Sequence, residues 1–150
     1  MQLTRREVLA LSVGATVFGV AGLRAGGAVA APEDVKKLMM EFAGGEPKTG
    51  RIALTVPEIA ENGNSVPVSF AVESPMTDKD YVSSVMLYAD GNPVPTVASF
   101  TFTPMSGKAV ATTRMRLAKT QNVIVVAKMS DGSSFTDTKQ VKVTIGGCGG

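Results

Sequence analysis

From Arg51 onward apolar and polar residues alternate: Ile52, Leu54 and Val56, then, after a turn at Asn62-Gly63-Asn64, Val66, Val68, Phe70 and Val72. A period of two places every apolar side chain of a segment on one face of an extended strand, a geometry no helix reproduces. Similar segments recur at 81–89, 96–103, 108–117, 122–129 and 134–145, which makes about seven strands. The breaks carry turn chemistry in Asp90-Gly91-Asn92-Pro93, Pro104-Met105-Ser106-Gly107 and Asp131-Gly132. Seven short strands without long intervening helices predict an all-β, immunoglobulin-like antiparallel sandwich, with a closed barrel as the alternative. Asp131-Gly132 is the strongest hairpin signal, so the last two strands should be sheet neighbours and Ile145 should lie at the domain's edge.

Two features qualify this plan. Pro67 donates no ladder hydrogen bond, so its strand is expected at a sheet edge or to start late. Ahead of the strands, Val35, Leu38, Met39 and Phe42 follow helical spacing, which predicts a short helix over about 33–44. Glu33 and Asp34 suit its N-terminal dipole, Lys36 and Lys37 face solvent, and Gly44-Gly45 stops it. The helix is expected to cap one end of the core. The methionines read as core filler and not as a copper site.

Residues 1–30 read as an export signal: Arg5-Arg6 precedes an apolar run over 8–20, too short to span a bilayer, and Ala28-Val29-Ala30 suits a signal peptidase. Cleavage is expected before Ala31. Thr4-Arg5-Arg6-Glu7-Val8-Leu9 resembles a twin-arginine signal, with Val8 where phenylalanine is usual, and an ordinary secretory signal is the alternative. Either reading places the protein outside the cytoplasm, in the periplasm. Removing this segment takes away three arginines and one glutamate and leaves twelve basic and twelve acidic residues. A neutral domain of this size has no electrostatic basis for holding nucleic acid or an anionic membrane. Residues 31–145 then form one sandwich domain, and 146–150 a tail.

The chain has no histidine and one cysteine, Cys148, and so lacks the ligands of typical zinc, haem or iron–sulfur sites and the parts of a Ser-His-Asp or Cys-His arrangement. In an oxidising compartment an unpaired cysteine either bonds to another molecule or reacts. Here it sits in Gly146-Gly147-Cys148-Gly149-Gly150, where four glycines have nothing to bury and the greatest backbone freedom. This predicts a flexible arm that carries one reactive sulfur about 10 Å beyond Ile145 when extended, thin enough to enter a narrow channel. No neighbouring base or lysine activates the thiol, so no catalytic residue is assigned and chemical power must come from a partner. An inert thiol, or an intermolecular disulfide on an exported structural or adhesive sandwich, are the alternatives. A thiol oxidoreductase would need a second cysteine or an adjacent base.

The terminal pentapeptide resembles that of the SoxY family, the cysteine-bearing subunits of the SoxYZ thiosulfate-oxidation carrier. Val56-Pro57-Glu58-Ile59-Ala60-Glu61-Asn62-Gly63-Asn64, Val66-Pro67-Val68, Glu73-Ser74-Pro75-Met76-Thr77, Asn92-Pro93 and Thr113-Arg114-Met115-Arg116-Leu117 follow the same family's pattern. The resemblance implies a carrier and not an enzyme. Its cargo would be an S-thiosulfonate or sulfane adduct on Cys148, without metal or cofactor of its own. It further implies a heterodimer with SoxZ, loading by the haem-containing c-type cytochrome SoxAX, and sulfate release by the manganese hydrolase SoxB. In some organisms the sulfane would be oxidised by the molybdenum enzyme SoxCD. The loop over 58–64 and the strand of Pro67 are candidate surfaces for SoxZ.

Overall fold

The computed structural model describes residues 32–145. The expected export segment, its cleavage point, and the terminal residues Gly146, Gly147, Cys148, Gly149 and Gly150 lie outside the described residues. Helix α1 (Pro32–Ala43) is followed by strands β1 (Lys48–Thr49), β2 (Ile52–Thr55), β3 (Ile59–Ala60), β4 (Val66–Val72), β5 (Val82–Ala89), β6 (Thr96–Thr101), β7 (Ala109–Met115), β8 (Gln121–Met129) and β9 (Ser134–Val143). Seven of these strands build an antiparallel immunoglobulin-like sandwich: β9-β8-β5-β6 in one sheet, β2-β4-β7 in the other. The two-residue strands β1 and β3 both pair parallel to β9, and alternation in the sequence gives no sign of either.

Alternation is realised in β4, where Val66, Val68, Phe70 and Val72 are buried. They face Val82, Val85, Leu87, Val123, Val125, Ala127 and Met129 across the interior. Phe70 makes edge contacts with Phe100 of β6 at 5.2 Å and with Phe102 at 6.4 Å, and so joins the two sheets. Burying one such side chain contributes about 1.5–3 kcal/mol. β8 departs from alternation because both of its faces are covered: Val123, Val125 and Ala127 point into the sandwich, Ile124 and Val126 toward α1.

Three expectations are corrected. Helix α1 does not cap an end of the core; it lies on the outer face of the larger sheet, with Val35 and Ala43 buried against Tyr88, Ile124 and Val126. A flat apolar patch on that face offers a helix more area than the rim does. Leu38 turns outward and is 37% exposed, while Ala43 takes its place in the buried stripe. Pro67 is on the central strand of its sheet and not on an edge strand. The β2 ladder ends at the pair Thr55–Ser69, however, so at Pro67 the strand has only β7 beside it and no ladder bond is lost. As to the methionines, Met76, Met115 and Met129 fill the core, whereas Met105 is 96% exposed on a 3-10 turn, Pro104–Ser106, at the place of the expected turn.

Gly44 at φ 75° and Gly45 at φ 154° terminate α1, with both N–H groups donating to the Met40 carbonyl at 2.9 and 3.1 Å. Beneath the helix the Tyr88 hydroxyl donates to the Leu38 carbonyl at 3.4 Å. Burial, and then the nearby Glu41 carboxylate, push its pKa above the ordinary tyrosine value.

Candidate functional site

The C-terminal end of β9 outlasts its main partner. The β8 ladder ends at the pair Gln121–Val141, yet the backbone of every residue from Lys142 to Ile145 has a hydrogen-bond partner. Lys142 N–H donates to the Glu58 carbonyl at 2.9 Å and Thr144 N–H to the Ala60 carbonyl at 3.1 Å, which is the parallel β3 pairing. Thr144 Oγ1 donates to the Glu61 carbonyl at 3.1 Å, and Gly63 N–H to the Ile145 carbonyl at 2.9 Å. On the other side, Val143 N–H donates to Thr120 Oγ1 at 3.0 Å, so a hydroxyl supplies the rung that β8 lacks. Residues 58–63 thus form a strap along the last residues before the glycine tail.

Behind the strap lies a polar cluster that ties three further loops together. Asn92 Nδ2 donates to the Arg116 carbonyl at 2.8 Å, and its Oδ1 accepts from Ala118 N–H at 3.0 Å and Gln121 Nε2 at 2.9 Å. Gln121, only 5% exposed, accepts at Oε1 from Gly91 N–H at 2.7 Å. Asp90 holds Asn122 through its backbone N–H at 2.8 Å and its Nδ2 at 2.6 Å. Gly91 is required here, because a Cβ would stand 2.9 Å from the Gln121 Cβ. Leu117 N–H to the Gly63 carbonyl, 2.8 Å, links the cluster back to the strap.

Four of the motifs singled out in the sequence converge on this end although they are far apart along the chain. Residues 56–64 contain the strap, Val66-Pro67-Val68 begins β4 beside it, Asn92 is the hub, and Arg116-Leu117 holds both. Glu73-Ser74-Pro75-Met76-Thr77 is the exception. It lies at the opposite end, where Met76 N–H donates to Ser74 Oγ at 3.2 Å and Met76 is buried at φ 52°. Sequence reasoning missed Thr120 and Thr144. Each is an ordinary strand or loop threonine by local pattern, and their partners lie 23 and 83 residues away.

Among the described residues no three His, Cys, Asp or Glu side chains gather as metal ligands. A groove of about 150 Å³ beside α1, lined by Lys36, Met39, Met40, Glu46, Pro47 and Thr136, is remote from the strap.

The family model for the sulfur oxidation protein SoxY matches residues 39–148, from α1 to the cysteine. The chain belongs to the SoxY family. The sulfur carrier protein SoxY from Chlorobium limicola f thiosulfatophilum is 33% identical with a TM-score of 0.63; the match covers 75% of this chain and 98% of that one. A superoxide reductase (neelaredoxin) from Ignicoccus hospitalis matches at 17% identity and a TM-score of 0.56, covering 77% and 94% of the two chains. A putative superoxide reductase from Thermotoga maritima matches at 16% and 0.52, covering 68% and 89%. These two likenesses show the sandwich fold alone. No curated protein matches the chain. As a SoxY-family member the protein is a sulfur carrier of a sulfur-oxidation system, and it works with the other components of that system.

Proposed function

We propose that the protein carries thiosulfate-derived sulfur in covalent linkage to Cys148 and presents it to periplasmic enzymes. The observation that carries this reading is the position of the chain's one thiol: it is the last residue of the family match, within a glycine pentapeptide, three residues beyond Ile145, whose carbonyl is held by the strap. Glycine is the residue type that lets a thiol enter a narrow site. In the loading step the Cys148 thiolate forms a bond to the outer sulfur of thiosulfate while an electron pair passes to an external acceptor, the haem cytochrome SoxAX. In the release step water attacks the terminal sulfonate, the bond between sulfane and sulfonate sulfur breaks, and sulfate and protons leave a persulfide on Cys148. SoxB performs that hydrolysis, SoxCD oxidises the remaining sulfane where it is present, and SoxZ is the heterodimer partner.

The chain offers no base, metal cluster or second thiol near this cysteine in sequence, which supports a carrier whose chemistry is done by others. Arg5-Arg6 and the apolar run behind it support export in a folded state through a twin-arginine route to the periplasm.

Intact mass spectrometry of the protein from cells grown on thiosulfate tests the reading. Sulfane and sulfonate masses on the C-terminal peptide, lost in Cys148→Ser, are the expected result. A bare thiol under all growth conditions, or only a disulfide between two copies, would overturn it.

A further inference from the structure

The root of the C-terminal tail is held more firmly than the end of a strand needs to be. Past the last β8 rung at Val141, the ties of Val143, Thr144 and Ile145 come from Thr120 and from residues 60–63. The strap is itself fixed, by Leu117 N–H to the Gly63 carbonyl at 2.8 Å and by Asn64 N–H to Asn62 Oδ1 at 2.9 Å. Ala60 is buried in the core and Val143 packs against it, but the outer residues of the region stay in solvent: Ile145 is 68% exposed and Ile59 57%. Hydrogen bonds that continue past the last β8 rung as far as the carbonyl of an exposed residue, Ile145, locate that residue in space.

We propose that Thr120, Thr144 and the 60–63 strap are positioning residues that set where the terminal pentapeptide leaves the sandwich, and thereby the reach of its thiol. The purpose of the device rests on the carrier reading above; its geometry does not. With the strap closed, Cys148 is three residues beyond the last fixed one and reaches about 10 Å. With the strap and the Thr120 rung both open, the last fixed residue is Val141, seven residues before the thiol, and the contour length becomes about 24 Å. A shorter tether confines the thiol to a smaller volume around the domain's end and raises its effective concentration in a pocket docked there. The strap therefore selects partners whose active sites lie close beneath their surface.

A nitroxide attached at Ile145→Cys, in a Cys148→Ser background, reads the clamp directly. We expect an anchored, slow spectral component there. Thr120→Val/Thr144→Val removes the side-chain ties and leaves the backbone ones, so the label's mobility should rise part of the way toward that of the same label placed on Cys148 of the otherwise unaltered protein. Equal mobility at the two positions before the threonines are changed, or no response to changing them, overturns the clamp. Should the double variant fail to fold, amide exchange in the unaltered protein decides. The Val143, Thr144 and Gly63 N–H groups should exchange at least about tenfold more slowly than in an unstructured peptide, and full exposure overturns the proposal. Neither readout involves sulfur, so loss of the clamp and loss of the carrier reading are told apart.

Discussion

At the β8–β9 hairpin, residues one to four apart in sequence hold one another: Asp131 Oδ1 accepts from Ser133 N–H and Oγ at 2.8 and 2.6 Å, and Met129 N–H donates to the Ser133 carbonyl at 2.8 Å. At the other end of the same two strands, the partners are Thr144 with Ala60 and Glu61, Asn92 with Arg116 and Gln121, and Thr120 with Val143. The turn itself is closed by its own residues, although Ser130 beside it also bonds to Lys79 and Tyr81. The tail end exists only once the whole sandwich has closed, because its ties join segments 23 to 83 residues apart. Its root is therefore as fixed as the domain itself, a useful property in a base from which a carrier presents cargo.

The comparison breaks most sharply at Cys148. Cys148→Ser should reduce sulfate output from thiosulfate to background while the thermal midpoint stays unchanged, since the residue lies beyond every tie described. Growth on thiosulfate and a melting curve on the same variant check this. Retained output would mean that the tail end serves some purpose other than carrying sulfur.

Next in size is the hub behind the strap. Asn92→Ala leaves the Gln121 amide, the Ala118 N–H and the Arg116 carbonyl without their shared partner. The loss should be about 1–2 kcal/mol, since the partners are only part-buried and the Gln121 amide keeps the Lys119 carbonyl as acceptor. Gly91→Ala should cost a similar amount, about 1–3 kcal/mol, because its Cβ meets the buried Gln121 side chain at 2.9 Å. Denaturant unfolding measures both. If either variant is neutral, the cluster is looser than its hydrogen bonds imply and the long-range end is not the more demanding one.

The same contrast explains what could be read from the sequence. Strand β4, the Asp131-Gly132 turn and the Gly44-Gly45 stop were legible because each is written in neighbouring residues: alternation, a turn pair, a glycine pair. The tail's glycines and lone cysteine were legible too, and the family match runs to that cysteine. What stayed hidden depends on distant partners. The strap pairs Ile59 with Lys142 and Ala60 with Val143, so a segment read as a loop and candidate partner surface contains a parallel strand beside β9. Pro67 was misplaced for a related reason. Its local rule, no missing ladder bond, holds, but whether β2 stops short of it is decided by where that other strand ends. Leu38 and Ala43 exchanged roles because helical spacing gives a stripe's width and not which of its sides meets the sheet.

Gly132→Ala should cost no more than the hub variants. With φ at +84° it forces a side chain into left-handed backbone, at about 1–2 kcal/mol, and a Cβ there meets open space. Sulfur carrying should be untouched in the folded protein, which separates the hairpin from the tail end by function as well as by construction. The same melting and growth measurements report both.

The smallest effect is expected at Asp131, and its sign follows from the turn. The Ser133 hydroxyl, then the Ser133 N–H, hold the carboxylate's pKa below the ordinary value of 3.8, against a small opposing contribution from burial, and Arg51 adds a weaker pull in the same direction. A carboxyl whose folded pKa is depressed contributes stability that is present above its unfolded pKa and is lost as pH falls through the folded one. The unaltered protein should therefore lose a slight increment of stability below about pH 4 that Asp131→Asn, uncharged throughout, does not lose. Thermal midpoints at neutral and acid pH for the two proteins measure the difference. The side chain is fully exposed, so solvent screens most of the interaction and the shift should be modest. Parallel pH curves for the two proteins would mean that the turn is held by Gly132 and the backbone alone, and that even the local end owes nothing to charge.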